Sequence, residues 1–299
     1  MLDFLRIYGC AKNKLLVLNH KGIFAMNNRI KSLFTVALCA SISPLAISGP
    51  IDLSTWSAST LVFPGGQPEG NWQLEAGNTA VKQTVNADPS FYLNNLNQTS
   101  YSIDGSWQVL TGSDDDYMGF VFGYQNSSNF YLFDWKQGTQ GYAGQVANEG
   151  MTIKKMTGGT GDGATDLSLE EFWENRADFG DMDVLATNHS NTKGWVDRVL
   201  YDFHLDFNII AGEFSIEVTQ GAGADLTTLW DVTVSDSTFT SGQFGFYNFS
   251  QSDVRYAGFE QEGGVIVPDP IPASEPGSLA LLGLGLAGLG FSRRKRSKI

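Results

Sequence analysis

DDDYMGFVFGYQNSSNFYLFDWKQGTQ, residues 114–140, contains two runs in which apolar side chains recur at every second position. Met118, Phe120, Phe122 and Tyr124 fall on one face of a strand, because successive side chains of a strand point to opposite sides; Tyr131, Phe133 and Trp135 fall on one face of the next. Between the runs, Asn126, Ser127, Ser128 and Asn129 have side chains that readily bond nearby backbone and so favour a turn. The spacing predicts a β-hairpin. Because an isolated hairpin is marginal in water, its aromatic face must pack on a second sheet, which predicts a β-sandwich.

Outward from the hairpin, short strand-like runs recur, separated by Gly, Asn, Asp and Pro. On the N-terminal side they are residues 71–75 and 80–85, joined by Ala76-Gly77-Asn78, then 91–93 and 105–110. On the C-terminal side they are 151–155, 198–207, 213–220, 228–235 and 243–249. A parallel α/β sheet would need helices between its strands, so this pattern favours an antiparallel all-β domain over 51–262. One short helix is expected: Ser168 and Glu171 form a capping box ahead of Phe172 and Trp173, placing a helix over 169–176. With 299 residues, 42% hydrophobic and 12% aromatic, the chain has enough apolar material for one large core plus tails.

The net charge of −13 conceals an asymmetry. Six Lys or Arg precede position 49 and five follow position 290, which leaves eight between them against 30 Asp or Glu, so the central part carries about −22. Such a surface repels nucleic acid and anionic lipid, and it suits a hard cation such as Ca²⁺. It also suits plain solubility. Both cysteines, Cys10 and Cys39, lie in the N-terminal stretch, so the central part has no disulfide or thiolate chemistry.

The two ends read as addresses. Residues 26–48, MNNRIKSLFTVALCASISPLAIS, join a short basic region to an apolar run and small residues, a signal-peptide pattern with cleavage expected between Ser48 and Gly49. Residues 1–48 are then a leader, with either a true start at Met26 or an unusually long basic region. At the other end, a Pro-rich linker over 263–273 precedes Ser274-Glu275-Pro276, an apolar run over 277–291, and the basic cluster begun by Arg293 and Arg294. About fifteen apolar residues span roughly 22 Å as a helix, short of a hydrocarbon core. This tail over 274–299 resembles a PEP-CTERM sorting signal with Ser274 in place of the first proline. The resemblance implies processing by an exosortase, transient membrane anchoring and export to the cell surface, outer envelope or extracellular matrix of a Gram-negative bacterium that makes exopolysaccharide. An ordinary C-terminal membrane anchor is the alternative.

SIDGSWQVLTGSDDDYMGFVFGYQNSSNFYLFDWKQGTQ resembles the thrombospondin C-terminal domain, with its triple-acidic run, aromatic-glycine strand, serine-rich turn and Trp-Lys-Gln ending. Gly194-Trp195, residues 212–220 and SGQFGFYNFSQSDVRYAGFE from Ser241 extend the resemblance over about 72–260. It implies a concanavalin or L-type-lectin-like antiparallel sandwich (jelly roll) acting in adhesion. It also implies calcium, although most of the calcium in thrombospondins sits on aspartate-rich repeats that this sequence does not contain. Asp114, Asp115 and Asp116 are the first metal candidates, since adjacent carboxylates repel one another and Ca²⁺ offsets that repulsion. By parity with Met118, Asp114 and Asp116 are expected where the inward row reaches the rim. Asp162 and Asp166 are further loop candidates whose spacing fits no EF-hand.

In YDFHLDF, residues 201–207, the aromatic and aliphatic side chains face one way, leaving Asp202, His204 and Asp206 on the other; that row is a candidate metal or sugar contact, or simply the wet face of a strand. Glu213 and Glu217 share the solvent face of their strand, outside any glycosidase motif. No Gly-x-Ser-x-Gly elbow, phosphate loop or zinc signature occurs, so no catalysis is expected. The sequence therefore reads as a non-catalytic, calcium-binding adhesion or carbohydrate-binding module whose partner is an extracellular glycan or matrix component. A self-associating biofilm-matrix protein is the alternative, and a polysaccharide-degrading enzyme a remote one.

Overall fold

A computed structural model describes residues 50–159, 165–208 and 210–268. The signal-peptide stretch with Ser48 and Gly49, the loop residue Asp162, and the tail with Ser274, Glu275, Pro276, Arg293 and Arg294 lie outside the described residues.

In chain order the strands are β1 (Ser57–Thr60), β2 (Trp72–Leu74), β3 (Ala80–Gln83), β4 (Ser90–Leu93), β5 (Gln98–Val109), β6 (Tyr117–Asn126), β7 (Asn129–Lys136), β8 (Gln140–Tyr142), β9 (Gln145–Ala147) and β10 (Gly150–Thr157). The helix α1 (Leu169–Trp173) follows, then β11 (Met182–His189), β12 (Leu200–Asn208), β13 (Glu213–Gln220), β14 (Thr227–Ser235), β15 (Gln243–Phe249) and β16 (Val254–Ile266). A front sheet runs β1-β4-β15-β6-β7-β10-β11 and a back sheet β14-β13-β12-β5-β16-β3-β2, with β8 and β9 as a separate ribbon. The paired strands are antiparallel, as the sequence predicts.

The hairpin β6–β7 sits inside the front sheet, and its register sets Met118 opposite Trp135, Phe120 opposite Phe133 and Phe122 opposite Tyr131. Asn126 closes the turn, its side-chain oxygen accepting from Ser128 N and Asn129 Nδ2, both at 3.0 Å. From the back sheet, Trp107 packs on Phe203 at 4.9 Å and meets Phe133 across the core at 5.7 Å; Phe120 stacks on Phe203 at 4.7 Å. This aromatic layer ties the two sheets, each ring pair adding about 0.5–1.5 kcal/mol beyond its buried area.

One expectation fails here. Tyr124 leaves the inner row, because the register shifts between Phe122 and Asn126 and Gly123 takes a left-handed φ of 56°; its ring packs on Phe130 at 5.4 Å on the outer face instead. That outer face is not solvated. Tyr117, Val121, Phe130, Leu132, Tyr247 and Phe249 are buried beneath Leu61, Phe172 and Trp173, so the front sheet has apolar cover on both sides.

α1 is capped as the sequence predicts: Ser168 Oγ accepts from Glu171 N, and Glu171 Oε2 accepts from Ser168 N. It stops at Trp173, short of 176, because Glu174 is extended and its carboxylate turns to Arg176, 2.7 Å away. Strands β1, β8, β9, β11 and β16 carry no strong period-two pattern and lie outside the runs that the sequence marks as strands. β16 nonetheless lies between β5 and β3, paired with β5 as far as Ile266, inside the stretch read as linker.

Candidate functional site

Asp114–Asp116 form the approach to β6, and the last residue of β7 organises them. Tyr117 pairs with Lys136, whose side chain is fully buried and whose ammonium reaches back to the triplet. Its Nζ lies 2.9 Å from Asp116 Oδ1, 3.2 Å from Asp115 Oδ1, 2.7 Å from Asp115 O and 3.0 Å from Gln140 Oε1. The Trp173 ring lies 5.2 Å from the same ammonium, a cation–π contact in a dry setting. Two further bonds hold Asp116: its N–H donates to Gln251 Oε1 at 3.0 Å, and its carbonyl accepts from Trp195 Nε1 at 3.1 Å.

Each of the three carboxylates offers an oxygen within 4.8 Å of the others. Burial and the neighbouring Asp116 charge push the Asp114 carboxyl up to about 6, against the opposing pull of Asn86 Nδ2, which donates to it. The cluster thus holds three acids against one fixed cation. Such a donor set fits a hard divalent ion, and because Lys136 fills the inner side, an ion would approach from the part-exposed Asp114 and Asp115. The parity expectation for Asp116 is not met: its carboxylate turns to Lys136 on the outer face of the sheet, because residue 116 precedes the ladder and strand alternation does not reach it.

Next to the triplet, a pocket of about 320 Å³ opens on that outer face. Asp88 and Asp116 contribute carboxylates, Gln67 and Gln140 amides, and Trp173 and Tyr142 rings whose centroids are 5.2 Å apart. Asp88 is 1% exposed and locked by backbone N–H groups of Gln67 at 2.8 Å and Phe63 at 3.2 Å. Gln67 Nε2 donates to Ser250 Oγ at 2.7 Å, and Trp173 Nε1 to Gln140 O at 3.3 Å. Sequence reading missed Lys136, Asp88 and this pocket. One signal was present: Phe130 and Leu132 are as apolar as Tyr131 and Phe133, so a sheet buried on both faces was legible.

The remaining candidates lie elsewhere. Asp166 accepts from Gly159 N at 2.7 Å and closes its own loop, outside the triplet's group. Tyr201, Phe203, Leu205 and Phe207 are buried as expected, leaving Asp202, His204 and Asp206 on the outer face of the back sheet. There His204 Nδ1 pairs with Asp104 Oδ1 at 2.8 Å, and burial raises the Asp202 carboxyl. Glu213 and Glu217 share that face with Ser215.

Fold and site define an antiparallel β-sandwich with an acidic rim and an adjoining polar-aromatic pocket. The chain belongs to the thrombospondin C-terminal region family, whose model matches residues 67–263. A PEP-CTERM protein-sorting motif matches residues 272–295 and marks an exported protein. Thrombospondin-3b of Danio rerio is 30% identical over 210 residues, covering 68% of this chain and 22% of that protein. Cartilage oligomeric matrix protein of Bos taurus is 28% identical over 212 residues, covering 69% and 27%. The chain therefore spans about a quarter or less of these relatives. Among solved structures, a carbohydrate-binding module of Bacillus subtilis aligns at TM-score 0.43 and 14% identity over 70% of this chain and 96% of that one. Peanut lectin aligns at 0.42 and 12% over 72% and 98%. No described helix is long and apolar enough to cross a membrane.

Proposed function

We propose that the protein is a non-catalytic adhesion or carbohydrate-binding module, exported and sorted to the envelope or exopolysaccharide matrix of a Gram-negative bacterium, with calcium held at Asp114–Asp116. The observation that carries this reading is the convergence of three carboxylates within 4.8 Å beside an aromatic-walled pocket, in a thrombospondin C-terminal region sandwich. A binding role agrees with the placement of the two described histidines, His189 bonded to Thr152 and His204 paired with Asp104, away from the pocket lining. The sorting motif supports exosortase processing near Ser274, Glu275 and Pro276, with Arg293 and Arg294 remaining on the cytoplasmic side during transient anchoring. The acidic surface supports a partner other than nucleic acid.

Metal analysis of the purified protein and thermal unfolding with calcium or EDTA test the metal. Calcium at about a hundred times its Kd stabilises by about 2.7 kcal/mol, so EDTA lowers Tm and Asp114→Asn with Asp115→Asn removes the difference. An unchanged Tm and a metal-free protein would dismiss calcium. A glycan array tests the sugar arm independently, and concentration-dependent assembly without sugar in ultracentrifugation would favour a matrix protein that self-associates.

A further inference from the structure

Among the described ion pairs, only Asp134 and Lys154 are both fully buried. The ladder between β7 and β10 sets Thr152 opposite Asp134 and Leu132 opposite Lys154, so the two side chains are diagonal neighbours on the outer face of the front sheet. Lys154 Nζ lies 2.8 Å from Asp134 Oδ2 and donates to Phe172 O at 2.6 Å, with the Tyr117 ring 5.2 Å away. Neither Asp134 oxygen has a hydrogen-bond partner, whereas a buried carboxylate ordinarily collects several donors. Lys136 is a different case, its ammonium being shared among oxygens of Asp115, Asp116 and Gln140. Burial raises the Asp134 carboxyl and lowers the Lys154 amine, which brings the neutral acid and the neutral amine, with its nucleophilic lone pair, closer in energy to the charged forms. The fold holds both groups in contact, so a reaction between them has the high effective concentration of fixed partners. An amide carries no charge and ends the desolvation penalty of both ions.

We propose that Lys154 and Asp134 condense to an intramolecular isopeptide bond that joins β10 to β7 covalently. A proton passes from the ammonium to the carboxylate within the pair, the lone pair on Nζ forms a bond to Asp134 Cγ, and the bond from Cγ to one carboxyl oxygen breaks. That oxygen leaves as water with two of the three ammonium hydrogens. The third stays on the amide nitrogen, where it keeps the bond to Phe172 O. No oxidant, activated group or second substrate enters the balance. Freshly folded protein holds the ion pair, and aged protein holds the amide.

Mass spectrometry of the full-length protein tests the bond, fresh and after prolonged storage, beside Lys154→Arg, whose guanidinium keeps the charge but is no nucleophile at neutral pH, and Asp134→Asn, whose side-chain amide can give up only ammonia. Intact masses are compared between parent and variants, so that processing at either end cancels. The parent is expected to fall below its sequence mass by one water, about 18 Da, and neither variant to do so. Proteolysis of the parent is expected to leave the peptide holding Asp134 joined to the peptide holding Lys154, with trypsin no longer cutting after Lys154. A parent that stays at full sequence mass after storage, with the two residues in separate peptides, overturns the bond and leaves an ordinary ion pair. A loss of water that persists in either variant, or that maps to another residue, overturns it equally. Because the decisive measurement is made on the parent, the result holds even where a variant folds poorly.

Discussion

Lys136 Nζ lies 2.9 Å from Asp116 Oδ1, and neither side chain is more than 7% exposed. The ion pair fixes the acidic triplet from behind and places a positive charge against the Trp173 ring. Lys136→Met removes the only described cation at the cluster and leaves Asp116 buried without it. Breaking a buried pair from one side costs about 3–5 kcal/mol, to be read from urea unfolding. A cost below about 1 kcal/mol would show that water, not Lys136, balances these carboxylates.

Asp134 and Lys154 form a second pair at 2.8 Å, both fully buried on the outer face of the front sheet. Burial raises the Asp134 carboxyl and lowers the Lys154 amine, so each needs the other to stay charged. Lys154→Met alone is expected to cost about 3–5 kcal/mol, whereas Asp134→Leu with Lys154→Met returns to within about 1–2 kcal/mol of the parent. The residue of that loss is the bond Lys154 Nζ donates to Phe172 O at 2.6 Å. A double-mutant cycle with no coupling would contradict the pairing.

Stability at mildly acid pH rests on His189. Burial pushes its imidazole down to about 4 from 6.5, helped by the Lys154 charge and opposed by Glu174, and its Nε2 bonds Thr152 Oγ1 at 2.9 Å. The folded protein therefore keeps His189 neutral, while the unfolded chain takes up a proton below 6.5. Its contribution is complete above pH 6.5 and fades as pH falls toward 4, by about 2 kcal/mol after allowance for partial exposure. Asp236 acts in a lower window. Burial raises its carboxyl, but hydrogen bonds from Tyr131, Thr238 and Lys155 outweigh this and bring it to about 2, so its share is lost as pH falls from 3.8 to 2. Asp114, raised to about 6, acts with the opposite sign in the same window, because the folded protein takes up that proton before the unfolded chain does. His189→Gln is therefore expected to remove the histidine's loss between pH 6.5 and 4 and leave the gain from Asp114; an unaltered slope there would rule the histidine out.

Gly194 couples the back of the site to the hairpin. A Cβ at this position would lie 1.9 Å from Gln137 O, so the chain has to move for any other residue. Gly194→Ala shifts the neighbouring Trp195 from Asp116 O and costs about 1–3 kcal/mol. Near-ultraviolet circular dichroism follows the tryptophan and chemical unfolding the cost. A parent-like spectrum and midpoint would mean that the loop yields freely.

What the sequence disclosed follows the range over which its signals act. Period-two alternation marked β6, β7, β12 and β13, and the capping box of Ser168 and Glu171 marked α1, because each signal acts between residues a few positions apart. β1, β8, β9 and β11 are short or weakly patterned and owe their strand form to the neighbours they pair with. At the site, Asp114–Asp116 stood out as a run, whereas the pocket joins Gln67, Asp88, Asp116, Gln140 and Trp173, which only the folded chain brings together. Lys136 was concealed by chemistry: a lysine is ordinarily placed in solvent, and only the carboxylates around it permit its burial.

The position of β16 has a mechanical consequence. It lies between β5 and β3 and is the last strand before the sorting motif at 272–295. It is bonded to both neighbours over Val254–Ala257 and to β5 alone from Glu260 to Ile266, so a tether pulling along this strand loads the long ladder to β5 in shear before it reaches the part held on both sides. A molecule held by its tail and tugged by its ligand would yield last at the join between the two.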